Sequence, residues 1–219
     1  NRGGRTAAGN VFECFRINLG SVVMFKSTTA KYLYQKYRAK SVLDPTAGWG
    51  GRMLGAWALD IDYTGIDTNT NLKPAYDKMI EFLDQENGFA SNLFEADNSK
   101  LEMIWQSCLD VDFSKIDYDF VLTSPPYINL ELYENMEPWQ SDEAFYKEFF
   151  IPLWQKCVDN IKQGGHVAFN ISPKMYEDAL KHGLKPCDED EDLKQQMGQR
   201  QEDLKKGKKK QDKIYVWKC

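Results

Sequence analysis

The sequence lacks any long apolar segment. Its 219 residues contain no run that approaches the ~20 apolar residues needed to cross a bilayer, and no signal peptide with a charged start and an apolar middle. Histidine is scarce, with two residues, and the five cysteines are scattered without a C-x-x-C pair. These absences argue against a membrane span, a disulfide framework and a zinc site. We therefore expect a soluble protein of a reducing compartment, with no metal site.

Charge is unevenly distributed along the chain. The 28 basic and 33 acidic side chains give a net charge of −5, yet residues 1–40 carry eight basic side chains and one acidic one. A cationic end suits a polyanionic partner such as nucleic acid, although a basic arm can also simply keep a protein in solution. An acidic run at 188–192 and a basic run at 200–213 predict either a solvated loop or a loop that contacts phosphates.

Short apolar runs alternate with helical stretches, which predicts an α/β domain with a mostly parallel, doubly wound sheet. The length and the 42% hydrophobic content favour a single domain over 1–219, with a basic N-terminal segment at 1–40 and a charged loop region at 174–213. The predicted strands are 41–44, 63–67, 91–96, 119–123, 166–171 and 214–217. The predicted helices are 28–37, 52–59, 72–87 and 145–161, the last with a kink at Pro152.

A glycine-rich turn follows the first predicted strand and reads Asp44-Pro45-Thr46-Ala47-Gly48-Trp49-Gly50-Gly51. Glycines there let the backbone turn sharply and approach a ligand, and the free N–H groups at a helix start favour polar or anionic groups. A Walker loop would continue with Lys and Ser or Thr, but Arg52 and Met53 follow. The dinucleotide fingerprint needs a glycine at position 53. A nucleoside without a pyrophosphate remains as the ligand.

Two carboxylates follow predicted strands. Asp67 ends the second strand, where it can accept hydrogen bonds from both ribose hydroxyls. Asp97 follows the third predicted strand and could accept from an adenine amino group, with Phe94 as a ring contact. An Asp in such a place can equally be a helix cap or a turn residue.

The fourth predicted strand runs into Ser124-Pro125-Pro126-Tyr127. Two consecutive prolines lack N–H donors and stiffen the chain, which is unusual after a hydrophobic strand. A rigid turn with a packed tyrosine is the structural alternative. No Cys–His or Ser–His pattern for covalent catalysis accompanies the motif.

These two motifs, in this order, resemble the cofactor and catalytic motifs of S-adenosylmethionine-dependent methyltransferases that modify exocyclic amino groups of DNA bases. The resemblance extends over about 25–217 and implies a Rossmann-like class I methyltransferase fold, in a cytoplasmic protein of bacterial, phage or viral type. It implies S-adenosyl-L-methionine as cofactor and double-stranded DNA as partner. The implied cofactor-binding residues are Phe25, Asp44, Pro45, Thr46, Ala47, Gly48, Gly50, Asp67, Thr68 and Asp97, and the implied catalytic residues are Ser124, Pro125, Pro126 and Tyr127.

Within the family, Ser at the first position of the tetrapeptide is most typical of cytosine N4 methylation, and Asp or Asn of adenine N6 methylation. Methylation of cytosine N4, by an enzyme of restriction-modification type, is therefore favoured. The alternative targets are adenine N6, an RNA base and a protein glutamine. Ser124 Oγ and the Pro125 carbonyl would accept the hydrogens of the amine, and Tyr127 would stack on the flipped base. Tyr133 and Trp139 are lesser base contacts or rings that cap the core.

The sequence has no long insert for a separate target-recognition domain. Recognition is therefore assigned to the basic segments, to the loop after Tyr127, to a missing part of the chain or to a partner.

Overall fold

The computed structural model describes residues 24–94, 99–128, 139–192 and 212–219, and for 86–94 it describes the backbone only. Strands of these residues form one sheet in the order β3-β2-β1-β4-β5-β7-β6. The strands β1 to β5 are parallel, and β7 is antiparallel to both of its neighbours. Their bounds are β1 Ser41–Asp44, β2 Asp62–Ile66, β3 Leu101–Ile104, β4 Phe120–Thr123, β5 His166–Ile171, β6 Glu189–Asp192 and β7 Lys213–Lys218.

The helices connect the strands and cover the sheet. They are α1 Ser27–Tyr37, α2 Gly51–Trp57, α3 Lys73–Phe94, α4 Ile151–Asn160 and α5 Pro173–Lys181. A short helical turn, Asp142–Ala144, and a π-helical segment, Phe145–Phe150, lead into α4. Within the described ranges, no helix has both the length and the apolar character to traverse a lipid bilayer.

Alternate residues of the central strands enter two separate cores. Leu122 of β4 packs in one core with residues of α1 and α2, such as Leu33 and Met53. Val121, its neighbour along the strand, packs in the other core with Phe150 and Leu153 of the helical segment before and in α4. Successive side chains of a strand point to opposite faces, so the sheet is covered on both sides.

The predicted fold class is confirmed: the sheet is mostly parallel and carries helices on both faces. Strands β1 and β5 have the predicted bounds, β4 differs from prediction by one residue at one end, and β2 and β7 differ by one residue at each end. These strands are short apolar runs with clear turn signals around them, so local sequence is enough to define them.

The predicted strand at 91–96 is wrong. Residues 91–94 continue helix α3, which ends at Phe94, and the strand that pairs with β2 is Leu101–Ile104. A short apolar stretch fits a helix or a strand equally well, and the pairing partner decides. Here the parallel register from Tyr63↔Leu101 to Ile66↔Ile104 makes the later segment the third strand.

The helix type changes close to Pro152, the residue at which the sequence predicts a kink. The π-helical segment ends at Phe150, and Pro152 lies at the second position of α4. Proline has no N–H to donate to the carbonyl four residues earlier, which interrupts the regular ladder of α-helical hydrogen bonds at Glu148. Glu148 lies within the wider π-helical segment.

The charged loop predicted at 174–213 is also corrected. All of helix α5 except its first residue lies inside this range, as does strand β6, whereas 193–211 is outside the described residues. The acidic run forms an edge strand whose Glu191 accepts from Lys36 at 2.7 Å, and Asp190 pairs with Lys213 at 2.6 Å. Cross-strand and neighbouring lysines thus provide the partners that let an acidic sequence form an edge strand.

Candidate functional site

The candidate site lies at the point in the sheet where the order of the strands reverses, between β1 and β4. Strands β1 and β4 are adjacent and parallel, but the chain leaves β1 towards β2 on one side and leaves β4 towards β5 on the other. A crevice opens between the carboxyl ends of two such strands, and open α/β sheets bind their ligands there. The glycine turn follows β1 and the Ser-Pro-Pro-Tyr motif follows β4, so both motifs meet at this crevice.

The glycine turn uses its glycines for conformation and for packing. Gly48 and Gly50 have φ values of 60° and 78°, which favour glycine. A Cβ on Gly50 would come within 2.8 Å of Met79 Cε, whereas a Cβ on Gly48 would meet nothing closer than the Thr46 carbonyl oxygen at 4.0 Å. The backbone at Gly48 therefore borders open space and can be approached by a ligand.

A buried ion pair holds the turn from below. Arg52 Nε donates to Asp44 Oδ2 at 2.6 Å, Tyr63 donates its hydroxyl to the same oxygen at 2.6 Å, and the Arg52 guanidinium also donates to the Thr46 carbonyl. Burial disfavours the charged Arg52, but the Asp44 carboxylate outweighs this and raises the pKa of the guanidinium. Asp44 Oδ1 is buried and has no hydrogen-bond partner among the described residues.

Asp67 directly follows β2 and lies beside the turn. Its Oδ2 accepts from the Gly48 N–H at 2.8 Å, and its Oδ1 accepts from the Asn69 N–H at 2.8 Å. Tyr76 donates its hydroxyl to the Gly48 carbonyl at 3.0 Å from the opposite direction. Thr68 follows Asp67 and is exposed. The structure therefore brings Asp67 and Gly48, two of the predicted cofactor residues, together. The bound ribose stays a prediction.

The other predicted cofactor residues surround the same turn. Phe25 packs its backbone against Gly51, and its ring lies 5.4 Å from the Arg52 guanidinium carbon. Pro45 and Ala47 are buried, and the Ala47 N–H donates to the Ile66 carbonyl at 2.9 Å. These residues shape the turn by packing and by main-chain contacts.

Hydroxyl groups connect the glycine turn to the Ser-Pro-Pro-Tyr motif. Thr46 donates its hydroxyl to the Ser124 carbonyl at 3.0 Å, and the hydroxyl oxygens of Thr46 and Thr123 are 2.6 Å apart. Because the Thr46 proton is used on Ser124, Thr123 is the donor of the second bond. Pro125 and Pro126 are buried beyond this connection. The two motifs are thus one structure in space, although 77 positions separate the two threonines.

The Ser124 side chain contacts the end of β5. Its Oγ donates to the Asn170 carbonyl at 3.3 Å and accepts from Asn170 Nδ2 at 3.3 Å. Asn170 is buried, with 8% of its surface exposed. The parallel register pairs Thr123 with Phe169, so Ser124 and Asn170 lie one step beyond the last pair.

The aromatic residues after the motif differ in position. Tyr127 is half-buried and packs against the core that contains Phe150. The Trp139 ring packs on Phe145 and Phe149 at centroid distances of 5.6 and 5.8 Å, as expected for a ring that caps the core. Tyr133 lies outside the described residues.

Asp97 also lies outside the described residues, and its predicted position after the third strand is wrong. The strand that it was expected to follow begins after it, at Leu101. The residue that follows β3 is Trp105, which packs edge-to-face on Tyr76 at 5.5 Å. Since the Asp67 N–H donates to the Ile104 carbonyl at 3.1 Å, Trp105 directly follows a residue bonded to Asp67.

Sequence reasoning missed Arg52, Trp105 and Asn170. Arg52 is a charged residue inside a helix whose neighbours Gly51 and Met53 are buried, and Asn170 is a polar residue within an apolar strand. A polar residue inside an apolar run is a signal that can be read from sequence, because burying such a group without a partner is costly. Trp105 can be recognised only when β3 is placed correctly, at Leu101–Ile104.

Comparison of the chain with protein-family models and with curated proteins found no match. Solved structures do share the fold. An RNA methyltransferase from Salinibacter ruber in complex with S-adenosyl-L-homocysteine is 13% identical, with a TM-score of 0.52, over 90% of this chain and 93% of that chain. TrmN from Thermus thermophilus is 16% identical, with a TM-score of 0.52, over 92% of this chain. This chain spans 50% of TrmN. At these identities the likeness establishes the Rossmann-like class I methyltransferase fold.

Proposed function

We propose that this protein transfers a methyl group from S-adenosyl-L-methionine to the exocyclic amino group of a nucleic-acid base. The observation that carries the proposal is the hydrogen-bonded connection between the glycine turn and the Ser-Pro-Pro-Tyr motif through Thr46 and Thr123. Both motifs lie at the carboxyl ends of β1 and β4, where this type of sheet binds its ligands. A methyl donor on the turn would lie next to an amine held by the second motif.

The residues of the turn fit a nucleoside cofactor. Open space in front of Gly48, the Asp67 carboxylate and the buried Asp44 Oδ1 provide a close backbone approach and acceptors for hydroxyl or amino groups. Trp105 replaces Phe94 as the proposed ring contact of the adenine, because it follows β3 beside Asp67. The structurally similar RNA methyltransferase was solved with the demethylated form of this cofactor, which supports the choice.

When bound, the cofactor would supply an electrophilic methyl carbon: an N–C bond would form to the amine as the C–S bond breaks with its electrons left on sulfur, and the amine would lose one proton to solvent water. The chain contributes acceptors for the amine hydrogens. Ser124 Oγ and the Pro125 carbonyl stabilise the positive charge that develops on the nitrogen, and they draw its lone pair out of the ring. Tyr127 holds the flipped base by stacking, and the rigid prolines align the amine with the methyl group.

We assign DNA as the nucleic acid and cytosine N4 as the first target. The assignment is supported by the serine at position 124, as in the resemblance described above, and by the eight basic side chains of residues 1–40. RNA is the second candidate, because the similar structure from Salinibacter ruber is an RNA methyltransferase. The two nucleic acids share the amine chemistry and differ in the surface that presents the base.

A transfer assay with radiolabelled S-adenosyl-L-methionine tests the proposal. The full chain is offered duplex DNA, single-stranded DNA, tRNA and a glutamine-containing peptide, and the products are digested and identified by mass spectrometry. N4-methylcytosine in DNA is expected. N6-methyladenine or a methylated RNA base would move the assignment to that target, and methylated peptide or no transfer to any substrate would overturn the proposal.

Variants of the Ser-Pro-Pro-Tyr motif separate the amine site from the cofactor site. Tyr127→Ala and Pro125→Ala are expected to lower kcat about 100-fold or more while the affinity for S-adenosylhomocysteine stays within a factor of two to three of wild type. Tyr32→Ala is the matched control, because Tyr32 lies half exposed on α1. Parallel loss of transfer and of cofactor affinity in the Tyr127 and Pro125 variants would contradict the separate roles.

A further inference from the structure

Asn170 is the one residue whose side chain and main chain both bond to Ser124 Oγ among the described residues. The Asn170 carbonyl accepts the Ser124 hydroxyl at 3.3 Å, and Asn170 Nδ2 donates to Ser124 Oγ at 3.3 Å. The two residues are 46 positions apart, and the β4–β5 register brings them together. Asn170 is itself held in place by β7, where it pairs with Ile214.

These two bonds determine what Ser124 can still do. A serine hydroxyl has one proton and two lone pairs, and it can usually rotate to donate or to accept. Here the proton is directed to the Asn170 carbonyl and one lone pair is taken by Nδ2. Oγ then has one unused lone pair, so any further partner must donate a hydrogen bond to it.

The Asn170 amide is also incompletely bonded. More than nine tenths of the residue is buried, yet its Oδ1 has no hydrogen-bond partner among the described residues. Buried polar atoms nearly always have a partner, so an unpartnered one calls for an explanation, and a catalytic role is one such explanation. Oδ1 and Nδ2 share one carbon, so this unpartnered acceptor lies close to Ser124 Oγ. Two acceptor atoms, Ser124 Oγ and Asn170 Oδ1, thus lie together just beyond β4 and near the end of β5.

We infer that Asn170 is a positioning residue that holds Ser124 Oγ as a hydrogen-bond acceptor for the target amine. The inference rests on the proposed function and adds a residue to it. An exocyclic amine offers two hydrogens, so an acceptor that cannot rotate into a donor orientation favours the amine over a ring carbonyl at the same place. Asn170 therefore contributes both to the rate and to the selection of amino-bearing bases.

The first test is a double-mutant cycle with Asn170→Ala, Ser124→Ala and the double variant, in the full chain. Asn170→Ala is expected to lower kcat about 10- to 100-fold, less than the loss of a direct contact to the reacting group, with little change in the KM for the cofactor. In the Ser124→Ala background, the Asn170→Ala substitution is expected to lower kcat by less than about a factor of two, because its effect acts through Ser124. Independent effects of equal size in both backgrounds would overturn the inference.

The second test is a binding measurement that needs no turnover. Fluorescence anisotropy compares two oligonucleotides, one with the target base and one with an analogue that lacks its amino group. Wild type is expected to bind the amino-bearing base about 10-fold more tightly, and Asn170→Ala is expected to bind both equally. A preference that survives in Asn170→Ala would overturn the inference.

Two further variants keep the tests interpretable. Asn170→Leu fills nearly the same volume without polar atoms and replaces the alanine variant if that one fails to fold. Asn160→Ala is the matched control, because Asn160 Nδ2 donates to the Lys156 carbonyl at 2.8 Å in α4, away from the crevice. Wild type that transfers no methyl group overturns the proposed function together with this inference, whereas active wild type with an active Asn170→Leu overturns the inference alone.

Discussion

Asp67 illustrates how one side chain can support a loop and still present a binding surface. Its two oxygens accept from the N–H groups of Gly48 and Asn69. Each carboxylate oxygen has a second lone pair, so Asp67 can also accept hydrogen bonds from both hydroxyls of a ribose. Arg52 is different, because its hydrogen bonds run inwards to Asp44 and Thr46 and hold the turn from beneath.

Replacing Asp67 tests the cofactor assignment at the residue scale. Asp67→Ala is expected to weaken S-adenosylhomocysteine binding about 100-fold or more, because two hydrogen bonds to a charged acceptor are lost. Isothermal titration calorimetry measures the change. Asp117→Ala is the control, since Asp117 is exposed and pairs with Lys162 at 2.7 Å before β4. Unchanged affinity in Asp67→Ala would remove Asp67 from the cofactor site.

Helices α1 and α2 are positioned by a close approach at one glycine. A Cβ on Gly55 would lie 2.7 Å from Ala30 Cβ and 2.9 Å from the Ser27 carbonyl oxygen, so α1 leaves no room for a larger residue. This contact fixes α2, and α2 carries Arg52 beneath the turn. The predicted helix at 52–59 differs from α2 by one residue at its start and two at its end. Only the packing explains why position 55 within it is a glycine.

Gly55→Ala is therefore expected to lower the free energy of unfolding, whereas the same substitution in most helices raises it. Alanine in place of glycine ordinarily stabilises a helix by about 1 kcal/mol. Here the added methyl must push α1 away from α2, and we expect a net loss of about 1–3 kcal/mol in the free energy of unfolding. Urea denaturation measures this loss. Gln35→Ala, at an exposed position of α1, is expected to change stability by less than about 0.5 kcal/mol, and a stabilised Gly55→Ala would contradict the packing argument.

At the scale of the whole molecule, the sheet separates two hydrophobic cores, and two cysteines are buried in one of them. Cys108 and Cys157 are buried in the core beside α4, whereas Cys187 is half-buried at the surface. Burial raises the pKa of the Cys108 thiol to about 12 and raises the pKa of Cys157 well above its ordinary value. Thiolates are the reactive form, so both thiols are protected by protonation and by burial.

Alkylation by iodoacetamide at pH 8 is expected to follow this division. Cys187 should react in native buffer, whereas Cys108 and Cys157 should react only as rising urea unfolds the protein, because the core must open to expose them. Peptide mass spectrometry identifies the labelled sites, and fully unfolded protein gives the reference rate for each thiol. Rapid labelling of Cys157 in native buffer would contradict a closed core.

The sequence by itself determined the fold class, the bounds of β1 and β5, and the two motifs at the crevice. These features depend on short-range rules, because apolar runs, glycine turns and consecutive prolines constrain the backbone near themselves. The tertiary structure decided which segment is β3, that the acidic run forms β6, and that Asn170 faces Ser124. Those three features depend on the register between strands far apart in the chain, and only the pairing of complete strands selects that register.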